Sequence, residues 1–280
     1  ARSYEEMNEY LFGKWFAKGM NLLILLMLIG VSGVMLSGAG ALFQEHLLIS
    51  KQIGVLLTMA LGLAVMAVGT KGLFAVNTFV VPLMITFNLI VMGLSVAKPG
   101  FLETVLYIPE GVSGWKAALS PILYVAFNLA LSQAVLVPLA SEINDRAVVR
   151  LGGLLGGLFL TILLISSHFV LIQIPNVVEF EIPMATVMKS TVYGLYWVYI
   201  FIIYGEIFTS IIGNMYGLER QINKYWPVHS IVIYLSIFVL AYSLSWFHYS
   251  TLLALLYPIF GWISLAFIIL LWVKPTNVPR

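Results

Sequence analysis

A chain of 280 residues that is 61% hydrophobic and 9% charged, with a mean hydropathy of +1.01, is not a water-soluble domain: too few polar groups are present to cover so large an apolar surface. The formal net charge of +2 gives no footing for a nucleic-acid partner. Cysteine is absent, which excludes disulfides, thiolate metal centres and cysteine nucleophiles.

Taken in order, the polar opening "ARSYEEMNEY" has neither an initiator Met nor the pattern of a signal peptide. It reads as a cytoplasmic amphipathic segment over residues 1–16, and as the inside of a longer protein. Beyond it, apolar runs of about 20 residues recur, each near 30 Å long as a helix and able to cross a bilayer. Lipid offers no partner to main-chain N–H and C=O groups, so these runs are expected as helices. The short alternating segments of a membrane β-barrel are absent. Spans are predicted at 17–39, 52–69, 72–96, 118–140, 151–174, 190–216, 231–248 and 250–273. The expected fold class is all-α: a polytopic membrane bundle of about eight transmembrane helices, forming one transmembrane domain over residues 1–280.

Connections are short except 97–117 and the acidic "NVVEFEIPMATVMK" between the fifth and sixth spans. Both contain Pro and apolar residues and are expected as short helices over the bundle. The basic residues set the orientation. With the N-terminus in the cytoplasm, Arg2, Lys14, Lys18, Lys71, Arg146, Arg150, Arg220, Lys224, Lys274 and Arg280 fall on that side, against Lys51, Lys98, Lys116 and Lys189 on the other. Both ends of the chain are therefore expected in the cytoplasm.

The fourth span, within "YVAFNLALSQAVLVPLA" (124–140), holds Asn128, Ser132 and Gln133 where lipid has no partner for them. Asn128 and Ser132 are four apart and share a helical face, with Gln133 beside it. Pro121 and Pro138 bracket the segment and weaken its ladder. Such groups either bond a neighbouring helix, at about 0.6 kcal/mol each, or form a polar break lining a central cavity. "SEINDRAVVR" (141–150) follows as an ordinary solvated loop, with a gating role for Glu142, Asp145 and Arg146 as the sharper alternative.

In the fifth span, Gly152 and Gly156 are small residues spaced for close helix packing. "GGLLGG" lacks the Lys-Ser/Thr of a phosphate loop and opens a span rather than following a strand. The sixth span carries the sole acid deep in an apolar run, Glu206, with Thr209 and Ser210 nearby. An ionised carboxylate at that depth costs several kcal/mol unless paired or hydrated, so Glu206 is a candidate proton carrier or cation ligand. The plainer reading is a protonated carboxyl bonded to a Tyr or to the backbone, with hydroxyls that back-bond to their own helix. The four histidines are scattered, and no Ser-His-Asp or paired-Asp arrangement is present. Neither an enzyme nor a metal centre is expected, and no cofactor beyond a coupling Na⁺ or H⁺.

The chain also repeats itself. "GVSGVMLSGAGALF" (30–43) matches "GEIFTSIIGNMYGL" (205–218), pairing Gly30 with Gly205 and Gly38 with Gly213 as small packing residues. Pro82 of the third span pairs with Pro258 of the eighth. The first and sixth spans lie five crossings apart and so run in opposite directions, as an inverted repeat requires. Spans one to three would then recur as spans six to eight.

At this point the sequence resembles a known family. "GVMLSGAGALFQE", "KGLFAVNTFVVPL", "SPILYVAFNLALSQAVLVPLA" and "GNMYGLERQI" together resemble the YkvI-like family of bacterial membrane proteins, over nearly all 280 residues. That family looks like a distant relative of the amino acid–polyamine–organocation (APC) transporters, whose LeuT-like fold is a 5+5 inverted repeat. The resemblance implies that the chain corresponds to helices 3–10 of that fold and starts after its first two helices. Residues 17–96 would be the remainder of the first repeat and 118–273 the second. It implies a multi-pass protein of the bacterial inner membrane. The fourth span would be the helix such transporters break at the midplane, with Asn128, Ser132 and Gln133 on the solute. Glu206, or the hydroxyls of Thr209 and Ser210, would couple H⁺ or Na⁺. The function implied is ion-coupled secondary transport of a small solute of the amino acid or amine class, by alternating access. The alternative is a non-transporting receptor or assembly subunit with a transporter-like fold. Partners expected are the lipid bilayer, the solute, and either a second copy or a partner subunit.

Overall fold

The computed structural model describes residues 3–106, 113–143, 145–174, 182–185 and 193–273, and its regular elements among them are helical. Helix α1 (Tyr4–Phe12) meets α2 (Lys14–His46) across Gly13 alone; α3 (Lys51–Ala67), α4 (Thr70–Val96) and the short α5 (Phe101–Leu106) follow. Then come α6 (Gly114–Glu142), α7 (Arg146–Leu171), α8 (Tyr196–Tyr225), α9 (Ser230–Leu244) and α10 (Tyr249–Val273). Each predicted span falls on one of these helices. Among the described residues six stretches are long and apolar enough to cross a membrane, in α2, α4, α6, α7, α8 and α10, whereas α3 and α9 are shorter apolar helices.

Helices α2 and α8 overrun the predicted spans because hydropathy marks the lipid-facing length, not the end of hydrogen bonding, whereas α3, α7 and α9 end short of theirs at Ala67, Leu171 and Leu244. α2 continues through Gln44, Glu45 and His46, and α8 through Arg220, Gln221 and Lys224. Side chains fix several starts by taking orphan N–H groups. Ser3 accepts from Glu6 N at the head of α1. Asp145 accepts from Ala147 N and Val148 N at the head of α7, at 2.8 and 3.3 Å. The described part of the stretch 141–150 is mostly helix rather than loop, though exposed: Glu142 closes α6, Asp145 caps α7, and Arg146 begins it.

A second correction concerns the fourth predicted span. α6 is one continuous 29-residue helix through Asn128, Ser132 and Gln133, with Pro121 and Pro138 inside it and no break. Asn128 Nδ2 donates to the Tyr124 carbonyl and Ser132 Oγ to the Leu129 carbonyl, so these side chains bond their own helix. Of the two longer connections, α5 lies in the first, and 182–185 is the described part of the second, which otherwise lies outside the described residues.

The chain divides into two units: Ala1–Val34, Gly111–Asn144 and Gly213–Arg280 form one, and Met35–Glu110 with Asp145–Ile212 the other. α2 and α8 each contribute one end to either unit. In the first unit α10 packs along α6. A Cβ on Gly261 would stand 2.9 Å from Leu123 Cβ, and Phe127 meets Tyr257 edge-on at 4.6 Å and stacks on Phe260 at 6.0 Å. α8 approaches α6 farther along, where a Cβ on Gly217 would lie 3.2 Å from Ala134 Cβ. Gly30 lies against Leu256 and Phe260, and Gly33 against Leu244. Phe12 of α1 stacks on Phe267 at 6.2 Å.

In the second unit Gly54 of α3 lies against Phe43 of α2, and Gly205 of α8 against Val80 of α4. Thr58 and Tyr204 share a hydrogen bond at 3.1 Å, and His46 Nδ1 meets Tyr196 Oη at 2.6 Å. Asn88 of α4 is bracketed by α7: it accepts from Ser166 Oγ and donates to Ser167 Oγ. Gly38 is buried, while Gly152, Gly156 and Gly213 have no neighbour within 4 Å of an added Cβ.

Two helix triplets share one pattern of lengths. α2, α3 and α4 run 33, 17 and 27 residues; α8, α9 and α10 run 30, 15 and 25. The ends of the long helices, His46 and Tyr225, are 179 positions apart. So are the starts of the short ones, Lys51 and Ser230, and of the third pair, Thr70 and Tyr249. The third helix of each triplet contains one proline, Pro82 or Pro258.

Candidate functional site

The described polar side chains gather in the first unit, where α1 and the C-terminal ends of α6 and α8 converge. Glu142, the last residue of α6, accepts on Oε1 from Tyr216 Oη at 3.1 Å and from Arg220 Nη2 at 2.5 Å. The guanidinium lies 5.2 Å over the Tyr216 ring, which holds its plane by cation–π attraction. One turn on, Lys224 Nζ sits 2.7 Å from Glu5 Oε2, and Gln221 Nε2 reaches Glu5 Oε1 at 3.5 Å and the Asn21 carbonyl at 3.3 Å. Asn8 donates to Asn21 at 2.7 Å, tying α1 to α2. Glu219 accepts from Ser230 and Asn223, at 2.8 and 3.1 Å, and its Oε2 lies 4.0 Å from Arg220 Nε.

Part of this cluster lines a cavity of about 350 Å³, whose polar walls include Tyr4, Glu5, Glu6, Glu142, Arg220, Gln221 and Lys224 and whose apolar wall includes Ala134 and Pro138. Tyr4 is 2% exposed and Gln221 6%. The Tyr4 hydroxyl and the Gln221 amide oxygen are buried without a hydrogen-bond partner among the described residues. Burial, reinforced by the Glu5 carboxylate, pushes the Tyr4 phenol well above its ordinary range.

Of the residues singled out from sequence, Asn128, Ser132 and Gln133 lie on α6 in the first unit, and Glu206, Thr209 and Ser210 on the part of α8 in the second. Gln133 is 4% exposed, and both polar atoms of its amide lack a partner among the described residues. Such a group forgoes about 1–3 kcal/mol of solvation unless something bonds it. Thr209 and Ser210 both donate to the Glu206 main-chain carbonyl, at 2.9 and 3.1 Å, and the Glu206 side chain is exposed on its unit. Asn77 bonds the Leu73 carbonyl of its own helix. Among the described residues no group of three His, Asp or Glu side chains is placed to hold a metal.

Sequence reading passed over Tyr4, Glu5, Gln221 and Lys224. A signal was present: Arg220, Gln221 and Lys224 lie one and four residues apart on one helix, and Ser3 and Glu6 have capping-box spacing at the head of the segment that meets them.

The chain is similar to the uncharacterised membrane protein YkvI of Bacillus subtilis (strain 168), with 46% identity over 269 residues that cover 96% of this chain and 77% of that protein. It is similar also to the uncharacterised protein YyaD of the same organism, with 23% identity over 273 residues, 95% of this chain and 78% of that protein. No family model and no solved structure matches the chain.

Proposed function

We propose that this chain, which belongs to the family of the Bacillus subtilis membrane protein YkvI, is an ion-coupled secondary transporter of a small solute of the amino acid or amine class. On this reading α2–α4 and α8–α10 are the equivalent triplets of a 5+5 inverted repeat of the APC type, in the cell membrane, with both described ends of the chain on the cytoplasmic side. The observation that carries it is the recurrence of a long helix, a short helix and a proline-containing helix at separations of about 176–182 residues. A tandem repeat of membrane helices with opposite orientations supplies two pseudo-equivalent arrangements, and alternating access exchanges one for the other.

Within that scheme Gln133, buried and unpartnered on α6, is the prime solute contact, with Asn128 and Ser132 on the neighbouring face able to exchange their intrahelical bonds for bonds to the solute. Glu206 is the proton or cation carrier, since an ionisable group within a spanning helix is retained at a cost of several kcal/mol. Thr209 and Ser210 are hard oxygen donors for Na⁺ once released from the Glu206 carbonyl.

The test is flux in liposomes of the purified protein, with labelled amino acids and amines and an imposed Na⁺ or pH gradient. Saturable, gradient-driven uptake is expected, with Glu206→Gln abolishing dependence on pH. Binding without flux under any gradient would sink the transporter reading and favour a receptor or assembly subunit. Unchanged coupling in Glu206→Gln would remove that carboxylate from the mechanism.

A further inference from the structure

The cavity between α1, α6 and α8 is lined by none of the residues assigned above to solute and ion, and its walls restrict what enters. Three carboxylates line it, Glu5, Glu6 and Glu142, beside two cations, Arg220 and Lys224. A simple anion meets a surplus of negative charge there. A simple cation meets a guanidinium and an ammonium. A ligand carrying both signs meets neither penalty, provided each charge reaches its own wall.

The groups for such a ligand are in place. Both bonds that Glu142 accepts fall on Oε1. Arg220 is 49% exposed at its side chain; its Nη2 is on Glu142 and its Nε faces Glu219 at 4.0 Å, and of its five N–H donors those not used there are available to a carboxylate. The unpartnered amide oxygen of buried Gln221 is an acceptor for an ammonium, and the unpartnered hydroxyl of buried Tyr4 donates or accepts. Ala134 and Pro138 offer an apolar wall to a short side chain, and about 350 Å³ accommodates a molecule of amino-acid size.

We propose that this cavity binds a small zwitterion of amino-acid type, its carboxylate on the guanidinium of Arg220 and its ammonium on Glu142 and the amide oxygen of Gln221. Because the cavity lies at the C-terminal ends of α6 and α8, which the proposed orientation puts in the cytoplasm, the ligand held there is the solute on its way to or from that side; that role rests on the transporter reading, whereas the binding does not.

The experiment is calorimetric titration of the full-length protein in detergent, in a Gln133→Leu background that removes the proposed solute contact on α6. The probes are L-alanine and L-leucine, beside their amines (ethylamine, isoamylamine) and their carboxylates (propionate, 4-methylpentanoate). Saturable binding of at least one amino acid is expected, with its amine and carboxylate about tenfold weaker or worse. Arg220→Lys, which keeps the charge and loses the fork, and Glu142→Gln each weaken that binding about tenfold. Circular dichroism and gel filtration check the fold, and Tyr4→Phe, which removes one hydroxyl, supplies a milder variant with a smaller loss of affinity. No saturable heat from either amino acid, equal binding of an amine or a carboxylate, or indifference to Arg220→Lys and Glu142→Gln overturns the proposal. Zwitterion binding that survives in a protein with no flux would defeat the transporter reading alone.

Discussion

Lys224 Nζ lies 2.7 Å from Oε2 of Glu5, 219 positions earlier in the chain, and so fastens α1 to the end of α8. The two partners differ in setting: the lysine side chain is 47% exposed and the glutamate 5%. The energetic weight of the pair therefore sits on Glu5, whose carboxylate is withdrawn from water and depends on its donors.

Lys224→Ala leaves that carboxylate buried with weaker support, and is expected to cost about 1–3 kcal/mol. The loss should be local. Hydrogen exchange across Tyr4–Phe12 is expected to rise while protection in α6 and α10 holds; uniform loss of protection would show that α1 is not separately fastened.

Tyr4 gives a stability contribution with a defined pH sign. Its phenol is held un-ionised in the folded protein, whereas the unfolded chain ionises near its ordinary value of about 10. Below about pH 10 both states keep the proton, and the contribution is fully present. Above it the unfolded state releases the proton first, so stability falls as pH rises towards the folded value. Tyr4→Phe is expected to match or exceed the wild type by up to about 1 kcal/mol at neutral pH, since its hydroxyl is buried without a partner. Thermal unfolding followed from pH 8 to 11 should show a shallower decline above about pH 10 in the variant; parallel curves would place the decline elsewhere.

Gln133→Leu separates stability from function. Replacing an unpartnered buried amide with an apolar side chain of similar size removes a desolvation penalty of about 1–3 kcal/mol. The melting temperature in detergent is expected to rise while uptake is lost. A variant that melts lower would mean that the amide has a partner essential to the fold, and uptake at the wild-type rate would exclude Gln133 from the solute path.

The glycines of α2 and α7 predict opposite outcomes for one substitution. A Cβ on Gly33 would lie 2.5 Å from Leu244 Cβ and 3.3 Å from the Ala241 carbonyl, so Gly33→Ala must push α2 and α9 apart and is expected to cost about 1–3 kcal/mol. On α7, Gly152→Ala meets nothing within 4 Å and gains helix propensity, so stability should hold or rise by up to about 1 kcal/mol. Thermal melts of the two variants, side by side, decide it. Equal losses would mean that α7 packs against a surface of a second copy or another chain.

Helix positions were legible in the sequence because lipid leaves the backbone no alternative to helix, and the stacked apolar runs mark where that holds. Span number was less so, since Lys51–Ala67 and Ser230–Leu244 are apolar throughout yet shorter than the rest. Asn128, Ser132 and the flanking prolines suggested a broken helix. The structure shows why they do not impose one: each polar side chain takes a carbonyl one turn back, and a proline removes only one N–H from a ladder that α6 otherwise maintains. The separation of Gly30 from Gly205 pointed to a repeat, but composition so rich in Gly and Leu produces such pairs freely. The helix boundaries carry that pattern more strongly than the residue matches do. Glu142 was legible as a gating candidate, and Arg220 only as a charge beyond the apolar windows. Their meeting depends on how α6 and α8 pack, which no local pattern encodes.

Gly13, with φ of +78°, is the whole of the joint between α1 and α2. A loop of several residues would let α1 lift from Lys224 while α2 stayed where it was. A joint of one residue has no slack, and its only freedom is the φ and ψ of a single glycine, set at an angle that side-chain-bearing residues rarely adopt. Any undocking of α1 must therefore either reset that single hinge or drag the first turn of α2 with it. The helix that closes one wall of the cavity is thus geared directly to a helix of spanning length, and motion at the one is felt as torque on the other.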